Sequence, residues 1–251
     1  MGCDIHCWAE KRVEGKWVLV TPQKGDASWS EFYNEKMSAM DWESENDASL
    51  HKARVDIGRN YDAFAILADV RNGRGFAGVK TGDGFRPILA ERRGWPKDRS
   101  PLLESEDAIE HSPSWLTLRE LNEYDWTQRT GQLGVVSLPE YVEWRDKRPH
   151  AAPEHYCGGI SGKNRETLSP KDADNLLHIG ERTIDGWTKR GMFYDPPAGH
   201  PATYVEVAWG ETYSEAAGDF YEKTLPNLNE ISCVSVSMSS WPLRAWMLAS
   251  R

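Results

Sequence analysis

The chain has 251 residues and a mass of 28.5 kDa, which is enough for one large domain or two small ones without disulfide or metal staples. There are 30 Lys and Arg residues against 39 Asp and Glu residues, and the resulting net charge of −9 excludes a general nucleic-acid coat and a binder of anionic membranes. Mean hydropathy is only −0.66, but 12 Trp, 9 Tyr and 6 Phe residues indicate a folded protein, because disordered chains are poor in aromatic residues.

The sequence contains no apolar run near the roughly 18 residues that cross a bilayer, and no leader segment precedes the first predicted strand. We therefore expect a cytoplasmic protein with no membrane partner. The cysteines are sparse and unevenly spaced, which favours reduced thiols over a disulfide framework. They are Cys3, Cys7, Cys157 and Cys233.

The N-terminal residues have the period of a β-strand. Side chains over 4–10 alternate in polarity, and Glu14-Gly15 predicts a turn into a second strand at 16–20. The polar segment 23–57 indicates a surface insertion. A helix is predicted over 60–72, with Asn60 as its N-cap and Gly73 at its end, before a glycine-rich loop.

The second half alternates between periodic and irregular segments. Thr117 and Glu120 fit a capping box, 134–136 predicts a strand, and a helix is expected from Ser137 to about Lys147. The segment 148–202 indicates a second insertion, with a short helix at 170–177. Beyond it we expect a strand at 203–209, a helix at 211–225 and a strand at 231–239. The inward residues of that helix are predicted to be Tyr213, Ala216, Ala217, Phe220 and Tyr221.

This order of elements predicts one α+β domain over 1–251. Its antiparallel or mixed sheet is formed by the N- and C-terminal strands and packs with helices, and its two long loop insertions are 23–57 and 148–202.

The first candidate site is on the N-terminal strand. Asp4 and His6 share a face about 7 Å apart, so both can reach one metal ion or one substrate, and Glu10 continues the row. The alternative is an amphipathic strand with this face in water. His111 is predicted in a loop before the capped helix. Its imidazole then either faces the site or belongs to an ordinary loop histidine without a functional role.

The second candidate is the basic segment 71–99. It carries eight bases and three acids, a local charge of +5, so the remaining chain carries −14. Glycine lets backbone amides approach phosphate and arginine supplies paired donors, so the segment fits an anion site. The alternative is a solvated loop that balances the acidic run 104–110. The bases are Arg71, Arg74, Lys80, Arg86, Arg92, Arg93, Lys97 and Arg99.

Two further motifs are set aside. Residues 73–78 match G-x-G-x-x-G but follow a predicted helix, which a dinucleotide fingerprint does not. His150, His155 and Cys157 lie close enough in sequence to suggest zinc, yet no C-x-x-C pair accompanies them.

Four blocks of sequence carry a resemblance to a known family. The hexapeptide MGCDIH at 1–6 and the blocks 59–71, 93–98 and 111–118 together resemble a widespread family of uncharacterised phage and bacterial proteins that begin with the same hexapeptide. Members often have a second histidine where this chain has Pro113, and Gly where it has Asp69. The resemblance implies a phage or prophage setting and favours one cleft shared by these blocks.

Three hypotheses of function follow. In the first, a hydrolase of nucleotides or other phosphoesters uses Asp4, His6 and His111 to hold a divalent metal ion or as acid and base, and counters host defence signalling in the host cytoplasm. In the second, the same cleft sequesters a small anionic nucleotide without chemistry. In the third, the acidic surface inhibits a host or defence protein. The ligand-binding candidates are Arg59, Tyr61, Arg92, Arg93, Trp95, Asp98, Ser114 and Trp115, of which the two indoles would stack on a base.

Overall fold

The structure, a computed structural model, describes residues 4–20, 53–55, 60–75, 78–103, 110–147, 151–160, 162–191, 193–234 and 243–250. The expected insertion at 23–57 lies outside these residues apart from 53–55. Helices and small antiparallel and mixed sheets form an α+β fold, as the sequence predicts. The chain divides into two compact units, the first comprising 1–72, 85–127 and 213–251 and the second 73–84 and 128–212. The single domain over 1–251 stays a prediction.

The described residues form ten strands of two to eleven residues. In chain order they are β1 (Asp4–Val13), β2 (Lys16–Leu19), β3 (Arg54–Val55), β4 (Glu110–Thr117), β5 (Arg129–Ser137), β6 (Arg165–Leu168), β7 (Thr188–Arg190), β8 (Phe193–Asp195), β9 (Ala202–Thr212) and β10 (Leu243–Ser250).

The helices are also short. They are α1 (Tyr61–Ala68), α2 (Leu118–Glu123), α3 (Leu138–Lys147), α4 (Pro170–His178), α5 (Tyr213–Ala217) and α6 (Leu225–Val234), with a π-helical segment, Phe220–Thr224, before α6. Within the described ranges, no helix has both the length and the apolar character needed to cross a membrane.

The sheet of the first unit joins the two ends of the chain. β1 pairs antiparallel with β10, from Asp4 opposite Ser250 to Lys11 opposite Leu243, and β10 pairs with β4. β2 and β3 also pair with β1. The predicted sheet of N- and C-terminal strands is therefore confirmed. The strand expected at 231–239 is wrong over 231–234, which end α6, and 235–239 lie outside the described residues; the C-terminal strand that the structure describes begins at Leu243.

Strand β1 is buried on both faces over residues 7–10. Cys7 and Ala9 are fully buried in the main core of the first unit, which also contains α1. Trp8 is 1% exposed and packs in a separate cluster with Ala53 and Leu103. The predicted turn after β1 is confirmed, since Glu14 and Gly15 both have positive φ, the geometry of a tight hairpin.

Helix α1 is the most buried element, with Phe64, Ile66 and Leu67 all at 0% exposure. The predicted cap is confirmed, because Asn60 Oδ1 accepts the Ala63 amide at 2.8 Å. The expected end at Gly73 is wrong. Asp69 takes the left-handed conformation at φ 53° and ends the helix four residues earlier.

The C-terminal helices begin later and run further than predicted. β9 continues to Thr212, so α5 starts at Tyr213, and a π-helical segment and α6 follow. Tyr213, Ala216, Ala217 and Phe220 are buried as predicted. Tyr221 is 37% exposed, so its predicted inward position is wrong, although its ring still contacts Trp126 at 5.3 Å between centroids.

The second unit has its own sheet and core. β5 and β9 pair antiparallel over nine residues, and β6 joins the other edge of β9 in parallel. The predicted helices α3 and α4 are confirmed, and α4 is capped by Ser169. Segment 148–202, expected to be an insertion with one helix, also contains β6, β7 and β8. The core comprises Val136, Leu138, Tyr141, Ala173, Val205, Val207 and Trp209.

Asn60 links two helices of the first unit, because its Nδ2 also donates to the carbonyl oxygens of Ala216 and Ala217 at 2.9 and 3.0 Å. We expect Asn60→Ala to lower the free energy of unfolding by about 2 kcal/mol, as it removes the cap and leaves both acceptors unpaired. Asn60→Ser should lose about half as much, because Ser still caps the helix. Urea unfolding followed by circular dichroism measures both.

The matched control is Asn122→Ala, which removes an exposed hydrogen bond to Asn229 and should change stability by less than about 0.5 kcal/mol. Equal stability of the Asn60→Ala and Asn122→Ala variants would contradict the role of Asn60.

Candidate functional site

The predicted row on β1 is confirmed as a strand, but it is not a solvated face. The His6 ring meets the buried Trp8 edge-on, with 5.7 Å between centroids. Glu10 is 0% exposed, and its Oε1 accepts the Ser100 amide at 2.6 Å. The alternative of a polar face in water is therefore wrong for Trp8 and Glu10. The side chain of Asp4 lies outside the described part of the chain.

His111 lies in β4 and not in the predicted loop. Its Cα partner on β10 is Ala249, whose partner on β1 is Ile5. Asp4 belongs to the neighbouring row. The backbone register therefore pairs His111 with neither Asp4 nor His6, and because the His111 side chain is outside the described ones, a metal or catalytic site of these three residues stays a prediction.

Arg93 is held by partners inside the first unit. Its guanidinium forms a bidentate ion pair with Glu120, with Nη1 donating to Oε2 at 3.0 Å, and lies 4.5 Å from the centroid of the Trp115 ring. The hydrogen bonds from Arg93 lower the pKa of the Glu120 carboxyl to about 2. Glu120 also completes the predicted capping box with Thr117, which is confirmed. Phosphate at Arg93 would have to compete with this carboxylate.

The other predicted ligand residues of the first unit also contact protein groups. Arg99 lies over the Trp95 ring at 4.8 Å. Asp98 accepts the Trp17 indole N–H at 2.8 Å, and Ser114 is fully buried. Because guanidinium groups lie over the rings of both Trp95 and Trp115, a base stacking on those faces would have to displace them.

The residues of the basic segment 71–99 are divided between the two units. Arg74 and Lys80 belong to the second unit, whereas Arg71, Arg86, Arg92 and the bases after it belong to the first. Arg71 lies over the ring of Tyr61 at 4.8 Å. Arg92 is exposed, and Arg59 is outside the described residues.

A cavity of about 570 Å³ lies in the second unit, where sequence reasoning placed an insertion. It lies against the end of β5, the loop 155–160 and the β7–β8 hairpin. Its lining carries cationic and phenolic groups from segments that are distant in sequence. The lining residues are Val135, Val136, Ser137, His155, Tyr156, Cys157, Gly159, Ile160, Arg165, Arg190, Tyr194, Asp195 and Tyr204.

The side chains that line the cavity are suited to binding a ligand and not to attacking one as a nucleophile. Burial raises the pKa of the Cys157 thiol, so the reactive thiolate is disfavoured. Burial and the nearby Glu143 carboxylate raise the pKa of Tyr194, so its phenol keeps its proton. Arg190 is exposed and its Nη1 lies 3.6 Å from an Asp195 carboxylate oxygen.

A cluster of possible metal ligands includes His155 of this cavity. Glu140, Glu154 and His155 each have one ligand atom within 4.8 Å of the others. Glu140 is 3% exposed, in the first turn of α3. Its Oε2 and His155 Nδ1 are 3.6 Å apart, and neither atom has a hydrogen-bond partner among the described residues. Leaving a buried acceptor unpaired costs on the order of 1–3 kcal/mol.

Sequence reasoning identified only part of this cluster. The zinc candidate that was set aside contained His155, but Cys157 is not in the cluster, because its thiol faces the Val135 carbonyl oxygen at 3.7 Å. His150 is outside the described residues. Glu140 precedes His155 by 15 residues on a helix, and the only signal for it is a carboxylate at the start of that helix.

Comparison of the chain with protein-family models, with curated proteins and with solved structures found no match. The resemblance to phage and bacterial proteins therefore stays a prediction.

The Arg93–Glu120 pair gives a prediction about pH. In the folded chain the Glu120 pKa is lowered from 4.5 to about 2, so the pair stabilises the fold above pH 4.5 and loses this effect as the pH falls towards 2. We expect Arg93→Gln to lower the free energy of unfolding by about 1 kcal/mol at pH 7, since solvent reaches the pair. The difference from the wild type should shrink between pH 4.5 and pH 2, as measured by urea unfolding across that range.

Arg119→Gln is the control on the same helix, because its ion pair with Glu123 is exposed. It should leave unfolding unchanged at every pH. A loss in Arg93→Gln that is independent of pH would contradict the assigned role of the ion pair.

Proposed function

We propose that the protein binds a small anionic ligand of nucleotide type in the cavity of the second unit. The observation that carries the proposal is the lining, which combines two guanidinium groups with three tyrosines in about 570 Å³. Sites for small molecules usually have volumes of about 300–1,000 Å³. The ligand class is the one expected from the sequence, but the proposed location is new.

The charges at the cavity favour a phosphate group. Arg165 and Arg190 line it, and a guanidinium offers the paired donors that match phosphate oxygens. Among the lining residues, only Asp195 is acidic.

The aromatic groups favour a ligand that also has a ring. Tyr156 is 46% exposed, and its ring contacts Trp209 edge-on at 4.7 Å between centroids. Tyr194 and Tyr204 also line the cavity. A phenol can stack on a base or donate to its polar edge. Phosphate and ring recognition together favour a nucleotide over inorganic phosphate.

A second candidate function is hydrolysis of that nucleotide. It is favoured by His155, whose side chain lines the cavity. An imidazole so placed can accept the proton of a water that attacks a phosphate ester. In a phage setting, either binding or hydrolysis would remove a nucleotide signal of host defence, with the host cytoplasm as the proposed location.

The binding proposal is tested by calorimetric titration with ATP, GTP and adenosine. We expect the two nucleotides to bind and adenosine to bind at least tenfold more weakly. Arg190→Gln and Arg165→Gln should each weaken nucleotide binding about tenfold, because each removes charged hydrogen bonds to phosphate. Recovery of the ligand after denaturation separates binding from hydrolysis, since only a binding protein returns it intact.

Two further variants serve as controls. Lys171→Gln removes one positive charge from α4, outside the lining, and should leave the affinity unchanged. Arg92→Gln tests the basic segment of the first unit. If Arg92→Gln weakens binding and the two cavity variants do not, the proposed location is wrong.

A further inference from the structure

We propose that Glu140, Glu154 and His155 bind a divalent transition-metal ion. The proposal stands on the geometry of these side chains and does not rest on the proposed nucleotide ligand.

The separation of the two unpartnered atoms fits a shared cation. Glu140 Oε2 and His155 Nδ1 are 3.6 Å apart, which is too long for a hydrogen bond. Two ligand atoms that are each about 2.1 Å from a tetrahedral zinc ion stand about 3.4 Å from one another. A cation between the two atoms would therefore satisfy both with little movement.

The burial of Glu140 is the second observation that points to a ligand. Its side chain is 4% exposed, and the Oε2 atom has no hydrogen-bond partner in the described part of the chain. A buried carboxylate needs a donor or a cation to replace the water it has lost. Glu140 also has a carboxylate oxygen within 4.8 Å of one ligand atom of Glu154 and one of His155.

The backbone around the cluster holds the ligands in place. Val135 and Cys157 exchange two hydrogen bonds, at 2.8 and 3.0 Å, which fix the loop that carries His155 against β5. The His155 amide donates to Glu140 Oε1 at 3.2 Å. This contact orients the carboxylate, engages Oε1 and leaves Oε2 for the metal, as supporting hydrogen bonds do in known metal sites.

The ligand set favours some metals over others. An imidazole nitrogen suits Zn²⁺, whereas Mg²⁺ and Ca²⁺ prefer sites made of oxygen ligands alone. Glu154 is exposed, so solvent reaches the cluster at that ligand. Three protein ligands leave a position for water, as in catalytic zinc sites.

The competing explanation is an ion pair between a protonated His155 and Glu140. An ion pair between these two residues does not involve Glu154 and does not bind a metal ion. The two explanations therefore predict different results for zinc binding and for the effect of changing Glu154.

The test is calorimetric titration of ZnCl₂ into full-length protein freed of metal by a chelator, with metal content measured after dialysis. We expect one zinc ion per chain and a rise in melting temperature. His155→Gln and Glu140→Gln should each weaken zinc binding at least 100-fold, because loss of a direct ligand should exceed the 10–100-fold cost known for supporting residues. Glu154→Gln should weaken it at least tenfold.

Controls separate this site from nonspecific binding and from misfolding. His200→Gln changes an exposed histidine of the same unit and should bind zinc as the wild type does. MgCl₂ should give no comparable heat. Glutamine preserves the size of Glu140 and the acceptor for the His155 amide, and circular dichroism checks its fold. Zinc binding that is absent in the wild type, or equal in His155→Gln and His200→Gln, overturns the proposal even if nucleotide binding is confirmed.

Discussion

The antiparallel pairing of β1 with β10 is the constraint on which the first unit depends. It brings the two ends of the chain together, so this sheet exists only when residues more than two hundred positions apart have met. Because Cys7 and Ala9 on one face and Trp8 and Glu10 on the other are all essentially unexposed, β1 is an interior strand with a core on each side. Closing such a long loop costs conformational entropy before any contact forms, and burial on both faces is what offsets it.

In the second unit, the long β5–β9 pair plays the corresponding role. Helix α3 starts directly after β5, so the end of the strand fixes where Glu140 stands. The same strand receives the Val135–Cys157 bridge, which fixes His155. One strand therefore positions both sides of the metal cluster and part of the cavity wall, and this explains how ligands from separate segments can meet without a local motif. The cavity and the cluster share His155 because both are built on the end of β5.

Local signals were sufficient for two helix N-caps, whose partners are near in sequence. The caps at Asn60 and at Thr117 with Glu120 were predictable, because a cap joins residues three apart. Contacts between residues that are far apart in the sequence were not predictable. Ser100 and Glu10 are 90 residues apart, and nothing at either position indicates the other. The charge pattern misled in a similar way: Arg93 counts as positive in the sequence, but Glu120 balances it across 27 residues. Asp69 ends α1 in the left-handed conformation, which the sequence does not predict for an aspartate at this position.

Two buried glutamates show why contacts, and not burial alone, decide what a side chain can do. Glu10 is fully buried and its Oε1 receives the Ser100 amide, so this carboxylate is held by the fold. Glu140 is nearly as buried and its Oε1 receives the His155 amide, but its Oε2 has no hydrogen-bond partner among the described residues. Oε2 and His155 Nδ1 stand 3.6 Å apart, which is too far for a hydrogen bond between them. A cation shared by Oε2 and Nδ1 satisfies both atoms and offsets the cost of burying the charge. Burial of Glu10 is therefore explained by its contacts within the fold, whereas burial of Glu140 with an unpartnered Oε2 favours a bound ligand.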